Sequence, residues 1–123
     1  MTLYLKIAVG PTAYLVAAAE VTDLQPASAG ATDGAIDLRA LFGAPPAGAG
    51  FRMSFAADAT GASDLVVDRL DGLVEIAEER FRALPAIGRF GALIDAVAVP
   101  GADEAPALRL RLGPALRVLA EAR

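Results

Sequence analysis

Alternation of apolar and polar residues recurs along the chain and predicts a series of short β-strands. It is clearest at residues 3 to 9, where every second residue is Leu, Ile or Val. Gly10 and Pro11 then supply a turn, so residues 13 to 16 are predicted to form the second strand of a hairpin. The same alternation predicts strands at residues 51–57 and 107–112, and apolar runs predict a strand at 65–76 and one at 90–99 that is covered on both faces.

Asp71 and Gly72 interrupt one of these predicted strands. Glycine accepts backbone conformations that other residues avoid, and Asp-Gly is frequent where a chain turns. We therefore expect a bend or a β-bulge within residues 65–76.

Helical spacing is confined to short segments. Apolar residues at i, i+4 and i+7 predict a helix over residues 17–24, which Pro26 would close. The same spacing predicts a second helix over residues 77–84, with a favourable i, i+4 pair between Glu78 and Arg82.

Two more helices are predicted from their ends. Asp37 precedes an apolar i, i+3, i+4 pattern, so we expect it to cap a helix of one or two turns that Gly43 ends. Pro114 is expected to open a C-terminal helix, because proline suits the first helical position. Residues 27–34 and 43–50 consist of small residues and prolines and are predicted to be loops.

Length and composition limit the kinds of fold that these elements can form. A chain of 123 residues fits one domain, and its size allows it to bury about two-thirds of its unfolded surface without disulfides. The hydrophobic fraction of 55% includes 29 alanines, and no apolar run approaches the roughly 18 residues of a membrane-spanning helix. The N-terminus also lacks the pattern of a signal peptide, so we expect a cytoplasmic protein.

The missing residue types exclude much chemistry. Histidine and cysteine are absent, which removes the commonest general base, the thiol nucleophile and the usual ligands of transition metals. A net charge of -4 argues against nucleic acid as a partner. We therefore predict no catalytic, cofactor-binding or metal-binding residues. One acidic cluster could in principle hold a hard metal ion, although turn formation and a solvated helix face explain it better; its members are Asp68, Asp71, Glu75, Glu78 and Glu79.

Three segments in this order and spacing carry a resemblance to a known family. They are YLVAAAEVTDLQP at residues 14–26, GAIDLRALFG at 34–43 and DLVVDRLDGLVEIAEERFRALP at 64–85. Together they resemble the CheW family of adaptor domains in bacterial chemotaxis arrays, a domain that also regulates the chemotaxis histidine kinase CheA. The resemblance covers residues 3 to 122.

The resemblance implies a mostly β fold of two packed SH3-like small β-barrel subdomains with short helices. The expected single domain, 1–123, would divide into subdomain 1 at residues 1–45 plus 107–123 and subdomain 2 at residues 51–106. The family usually has a further hairpin with an Asn-Leu-Arg-Gly turn between the segments that match Pro26 and Ile36 here. This chain has only small and acidic residues there, so we expect its first barrel to be reduced.

The function that the resemblance implies is that of a non-catalytic adaptor. It would bind the regulatory domain of a CheA-like histidine kinase, with a chemoreceptor signalling tip as a further candidate partner. The alternative is a stand-alone protein- or peptide-binding β-barrel module outside chemotaxis. A carboxylate-based enzyme is disfavoured by the missing residue types.

Five residues are candidates for partner binding. Ala18 and Val21 stand where the family exposes an Ile-x-x-Val surface, and Leu24 would extend that stripe, although helical periodicity alone favours Val21 and Leu24 as core residues. Arg39, next to the capping Asp37, could reach a partner carboxylate or could simply be solvated.

Overall fold

The structure is a computed structural model that describes residues 2–27, 35–43, 45, 48, 50–55, 64–85, 94–99 and 106–110. Its strands are β1 (Thr2–Val9), β2 (Thr12–Ala17), β3 (Val21–Pro26), β4 (Ala35–Asp37), β5 (Phe51–Phe55), β6 (Asp64–Val67), β7 (Arg69–Ile76), β8 (Phe81–Ala83), β9 (Ile94–Ala98) and β10 (Ala107–Leu110). The helices in this part of the chain are α1 (Leu38–Leu41) and two single 3-10 turns, Ala18–Glu20 and Glu78–Arg80. The prediction of a mostly β chain with short helices is confirmed.

The strands form two sheets. One has six strands in the order β7-β1-β2-β10-β9-β8, and the other has four in the order β3-β5-β6-β4. The outer strands of the six-stranded sheet, β7 and β8, are separated in sequence by only residues 77–80. Six flat strands would place these outer strands about 24 Å apart, whereas this connection can span only about 17 Å. The sheet is therefore strongly curled, and the rings of Tyr4 on β1 and Phe81 on β8 lie 5.4 Å apart.

The chain passes between the two sheets at two places. After β2 the turn Ala18–Glu20 leads into β3 of the four-stranded sheet, and after β6 the chain enters β7 through Asp68. Side chains from both sheets consequently share one main core. Its buried members are Leu5, Ile7, Val9, Tyr14, Val16, Ile36, Leu38, Met53, Phe55, Leu65, Val67 and Leu110.

Several local predictions are confirmed. β1 and β2 form the predicted hairpin, with Ile7 opposite Tyr14. The Asp71-Gly72 irregularity is a bulge, because β1 residues Lys6 and Ile7 pair with Gly72 and Leu70 and leave Asp71 as the extra residue. Among the described residues, no helix is long and apolar enough to cross a bilayer.

The predicted helix over residues 17–24 is wrong. Only Ala18–Glu20 form a 3-10 turn, and Val21 then begins β3, which pairs with β5. The pairing shifts register between Val21 and Asp23, so the apolar spacing that imitates a helix comes from a turn followed by a bulged strand. A segment this short does not recover the cost of helix nucleation, whereas pairing with β5 satisfies its backbone groups.

The predicted helix over residues 77–84 is wrong for the same reason. Glu78–Arg80 form a single 3-10 turn, and β8 then pairs with β9. The expected pair of Glu78 with Arg82 does not form: a guanidinium nitrogen of Arg82 donates instead to the carbonyl oxygens of Glu79 and Phe81. In both misassigned segments, a 3-10 turn leads into a strand.

Other predictions lie outside the described residues. They include the helix beginning at Pro114 and most of the small-residue loop where the family hairpin would stand. The two subdomains with their proposed boundaries stay a prediction.

Candidate partner-binding site

An apolar groove lies where β3 passes beside the β1–β7 edge of the six-stranded sheet. Its volume is about 410 Å³, and we call it the leucine groove; its lining residues are Leu3, Leu5, Ala18, Val21, Thr22, Asp23, Leu24 and Leu73. Three of the five residues predicted to bind a partner, Ala18, Val21 and Leu24, thus line one groove. They reach it from a 3-10 turn and a strand rather than from the predicted helix.

The leucine groove exposes large aliphatic side chains. Leu3 is 42% exposed, Leu24 is 40% exposed and Leu73 is 61% exposed. Val21 differs, since it is half-buried and packs against the main core. Contiguous exposed leucines at a concave surface are characteristic of binding sites, because isolated exposed apolar residues are ordinary but clustered ones are uncommon.

Strand pairing explains why these leucines meet. Leu5 and Leu73 are cross-strand partners in the β1–β7 pair, and Leu3 lies two residues from Leu5 on the same face. β7 is an edge strand of the described sheet, with β1 as its neighbour, so Leu73 stays exposed. Sequence reasoning did not select Leu3 and Leu73 as site residues. Their exposure depends on β7 being an edge strand, which no local pattern reveals.

The other two candidates, Asp37 and Arg39, lie elsewhere and are bonded within the chain. Asp37 caps α1 as predicted, since its carboxylate accepts the backbone N–H of Arg39 at 3.0 Å. The Arg39 side chain also bonds Asp37, with Nε to Oδ1 at 2.9 Å and Nη2 to Oδ2 at 3.0 Å. Arg39 is only 5% exposed, so the expectation of a solvated arginine is wrong.

Arg39 bonds two further parts of the chain, and one of them is in turn bonded to the first hairpin turn. Its Nη1 donates to the carbonyl oxygen of Gly48 at 2.9 Å and lies 3.4 Å from Oδ1 of Asp68. The second oxygen of Asp68 accepts the backbone N–H of Gly10 at 2.6 Å. The hydrogen bond with Asp37 raises the pKa of the Arg39 guanidinium, and burial partly opposes that change. These internal bonds favour a structural role, and a partner contact through Asp37 or Arg39 stays a prediction.

A second arginine network lies at β10. Arg109 forms a bidentate pair with Asp95 on β9, contacts Glu78 and lies within 3.3 Å of the Tyr4 hydroxyl. Its guanidinium carbon is 4.3 Å from the centre of the Phe81 ring. The hydrogen bond with Asp95 is the main cause that raises the pKa of Arg109, against the effect of burial.

A second cavity, of about 470 Å³, lies beside the first hairpin turn. Its lining residues are Val9, Gly10, Pro11, Thr12, Tyr14, Phe42, Gly43 and Pro45. The Tyr14 and Phe42 rings stack at 5.4 Å. Burial raises the pKa of the Tyr14 phenol, and a hydrogen bond with Thr12 opposes that change.

The acidic residues do not assemble into a metal site within the described part of the chain. No group there brings three potential ligands together, and Asp68 is bonded by Gly10 and Arg39. Asp71 lies near Arg69, and Glu78 lies near Arg109. Three of the five clustered carboxylates, Asp68, Asp71 and Glu78, therefore contact different partners.

Comparison with known proteins relates the fold to a scaffolding protein. No protein-family model matches the chain, and no curated protein matches its sequence. Among solved structures, it is similar to the scaffolding protein TtCheW from Thermoanaerobacter tengcongensis, with a TM-score of 0.69 and 13% identity, over 90% of this chain and 89% of that chain. The likeness shows a shared fold: the two sheets and few helices of this chain match the two-subdomain CheW-like β architecture.

Proposed function

We propose that this chain is a non-catalytic, cytoplasmic adaptor of a chemotaxis-type signalling array, and that it binds the regulatory domain of a CheA-like histidine kinase. The observation that carries the proposal is the likeness to a CheW scaffolding protein over nine-tenths of the chain. A chemoreceptor signalling tip is the second partner that we propose.

The leucine groove is the proposed kinase-binding surface. It brings the predicted residues Ala18, Val21 and Leu24 together and adds the exposed Leu73. Interfaces of this kind place an apolar centre within a polar rim, and a few central side chains carry most of the binding energy. Asp23 at the groove wall supplies part of such a rim.

Burial distinguishes Val21 from Leu24 as sites for a test substitution. Val21 packs against the main core, so an arginine there would destabilise the fold as well as the surface. Leu24 is more exposed and lines the same groove. Gln25 is the next residue on β3, points to the opposite face and does not line the groove, so it provides the control.

The experiment is calorimetric titration of the purified chain with the kinase regulatory domain encoded in the same genome. We expect a one-to-one complex that Leu24→Arg weakens at least tenfold, which is about 1.4 kcal/mol. Gln25→Arg should bind like the unaltered chain, and both variants should keep the thermal unfolding midpoint. Equal affinity of the two variants would show that the groove is not the binding surface. The absence of any complex would contradict the adaptor function.

A further inference from the structure

The second cavity lies at the opposite end of the β1–β2 hairpin from the leucine groove, and we call it the hairpin-turn cavity. It lies between the first hairpin turn, which contributes Gly10 and Pro11, and the segment after α1, which contributes Phe42, Gly43 and Pro45. Pro11, Gly43 and Pro45 are exposed, so the cavity is open to solvent. Its volume of about 470 Å³ is in the range of sites that hold small molecules.

Strand pairing builds one wall of the hairpin-turn cavity. Val9 and Thr12 are cross-strand partners, and Tyr14 lies two residues from Thr12 on the same face of β2. The Tyr14 ring stacks on the Phe42 ring with an interplanar angle of 21°. This wall suits a planar ring compound, because aromatic rings pack favourably in offset stacks and edge contacts.

One buried polar group in this wall gives the cavity chemical selectivity. Tyr14 is only 7% exposed, and its phenol is hydrogen-bonded to Thr12, which also lines the cavity. Burial raises the pKa of the Tyr14 phenol, so the phenol keeps its proton at neutral pH. The bond with Thr12 lowers that pKa, which identifies the Thr12 hydroxyl as the donor. The phenol O–H is therefore left to donate to an oxygen atom of a bound molecule.

The described lining of the hairpin-turn cavity carries no charged side chain. It consists of aliphatic and aromatic residues, prolines, glycines and the two hydroxyl groups. A charged molecule would lose its hydration there without gaining an ion pair from these residues, so the lining favours a neutral one.

Two sides of the cavity are held in place by the network of Asp68 and Arg39. Asp68 accepts the backbone N–H of Gly10 in the hairpin turn, and Arg39 on α1 contacts the same carboxylate. Phe42 ends α1, and its N–H donates to the carbonyl oxygen of Leu38 at 3.0 Å. A site whose walls are ordered in advance loses less conformational entropy when a ligand binds.

We propose that the hairpin-turn cavity binds a small, neutral, planar ring compound that carries a carbonyl oxygen. The ring packs against Tyr14 and Phe42, and the carbonyl oxygen accepts a hydrogen bond from the Tyr14 hydroxyl. Leu3 in the leucine groove and Val9 in this cavity are six residues apart on β1, which corresponds to about 20 Å. The inference therefore does not depend on the proposed kinase partner.

Titration of the purified, isotope-labelled chain with coumarin, followed by nuclear magnetic resonance, tests the proposal. Coumarin is neutral and planar and has a carbonyl oxygen. We expect saturable shifts of the amide signals of Gly10, Thr12 and Gly43, with a dissociation constant between about 0.1 mM and about 1 mM for a ligand of this size. Amide signals of β3 and β7, which border the leucine groove, should not shift.

Thr12→Phe and Thr2→Phe form a matched pair of variants. Phenylalanine at position 12 fills the cavity, so Thr12→Phe should abolish the shifts. Thr2 is exposed at the start of β1 and does not line the cavity, so Thr2→Phe should bind coumarin like the unaltered chain.

A second pair of variants tests the role of the phenol. Tyr14→Phe keeps the ring and removes the hydroxyl, which should weaken coumarin binding by about threefold to about tenfold. Tyr4→Phe removes a hydroxyl that lies near Arg109 and should leave coumarin binding unchanged. A carboxylate derivative of coumarin should bind more weakly than coumarin itself.

Several results would overturn the proposal. They are the absence of saturable shifts at millimolar coumarin, shifts centred on the leucine groove, and binding that survives in a folded Thr12→Phe variant. The shifted amides of the unaltered chain locate the site even if Thr12→Phe does not fold. Equal binding of coumarin by Tyr14→Phe, or equal binding of the carboxylate derivative, would contradict the assigned class of ligand.

Discussion

At the scale of single residues, two arginines join parts of the chain that are distant in sequence. Arg39 on α1 bonds Asp37 and Asp68, and Arg109 on β10 bonds Asp95 and contacts the Phe81 ring. The sequence predicts the Asp37 cap correctly because capping depends on a few adjacent residues. It could not predict the burial of Arg39, which depends on Asp68, 29 residues away in the bend between β6 and β7.

Removing the Arg39 guanidinium is expected to destabilise the fold. Arg39→Met would remove the two side-chain bonds to Asp37 and one charged contact of the buried Asp68 side chain, and breaking a buried pair in this way costs about 3 kcal/mol or more. Arg69→Met is the matched control, because the Arg69 side chain is 67% exposed and its pair with Asp71 should contribute less than about 1 kcal/mol. Urea unfolding measures both, and equal losses would contradict a structural role for Arg39.

At the scale of elements, the sequence predicts where strands and caps lie better than it predicts which sheet each strand joins. Alternation identifies β1, β5 and β10 because large apolar residues recur there at every second position, and the turn at Gly10 and Pro11 identifies β2. It fails at residues 17–24 and 77–84, where a 3-10 turn between two strands imitates helical spacing. It also misses the change of sheet at Asp68, because a strand that leaves one sheet for another keeps an uninterrupted sequence pattern.

The start of β5 offers a test of how closely the four-stranded sheet is packed. Gly50 has a φ of +81°, and a Cβ atom at this position would collide with the carbonyl oxygen of Val67 on β6. Gly72 in the β7 bulge has a φ of +111° with open space around it. Alanine at either position costs about 1 to 2 kcal/mol in backbone strain, and Gly50→Ala adds the displacement of β6.

We therefore expect Gly50→Ala to lower the free energy of unfolding by at least about 1 kcal/mol more than Gly72→Ala does. Chemical denaturation of the two variants gives the difference. Equal losses in the free energy of unfolding for the two variants would show that β6 moves away from β5 without cost.

At the scale of the whole molecule, the curled six-stranded sheet and the four-stranded sheet share one core and leave a groove between them. The resemblance noted in the sequence predicts this fold, and the likeness to a CheW scaffolding protein supports it at only 13% identity. The sequence also selects three residues of the leucine groove, although it places them on a helix that does not form. It could not supply Leu3 and Leu73, since their exposure is a property of the assembled sheet edge.

Hydrogen exchange tests whether the chain binds a kinase regulatory domain through the leucine groove. Backbone amide exchange of the chain would be measured by mass spectrometry, alone and saturated with that domain. We expect slower exchange in peptides covering β3 and β7, which border the groove, and unchanged exchange in peptides covering β9. Protection confined to β8 and β9, or no change in any peptide at saturating kinase domain, would contradict binding through the groove.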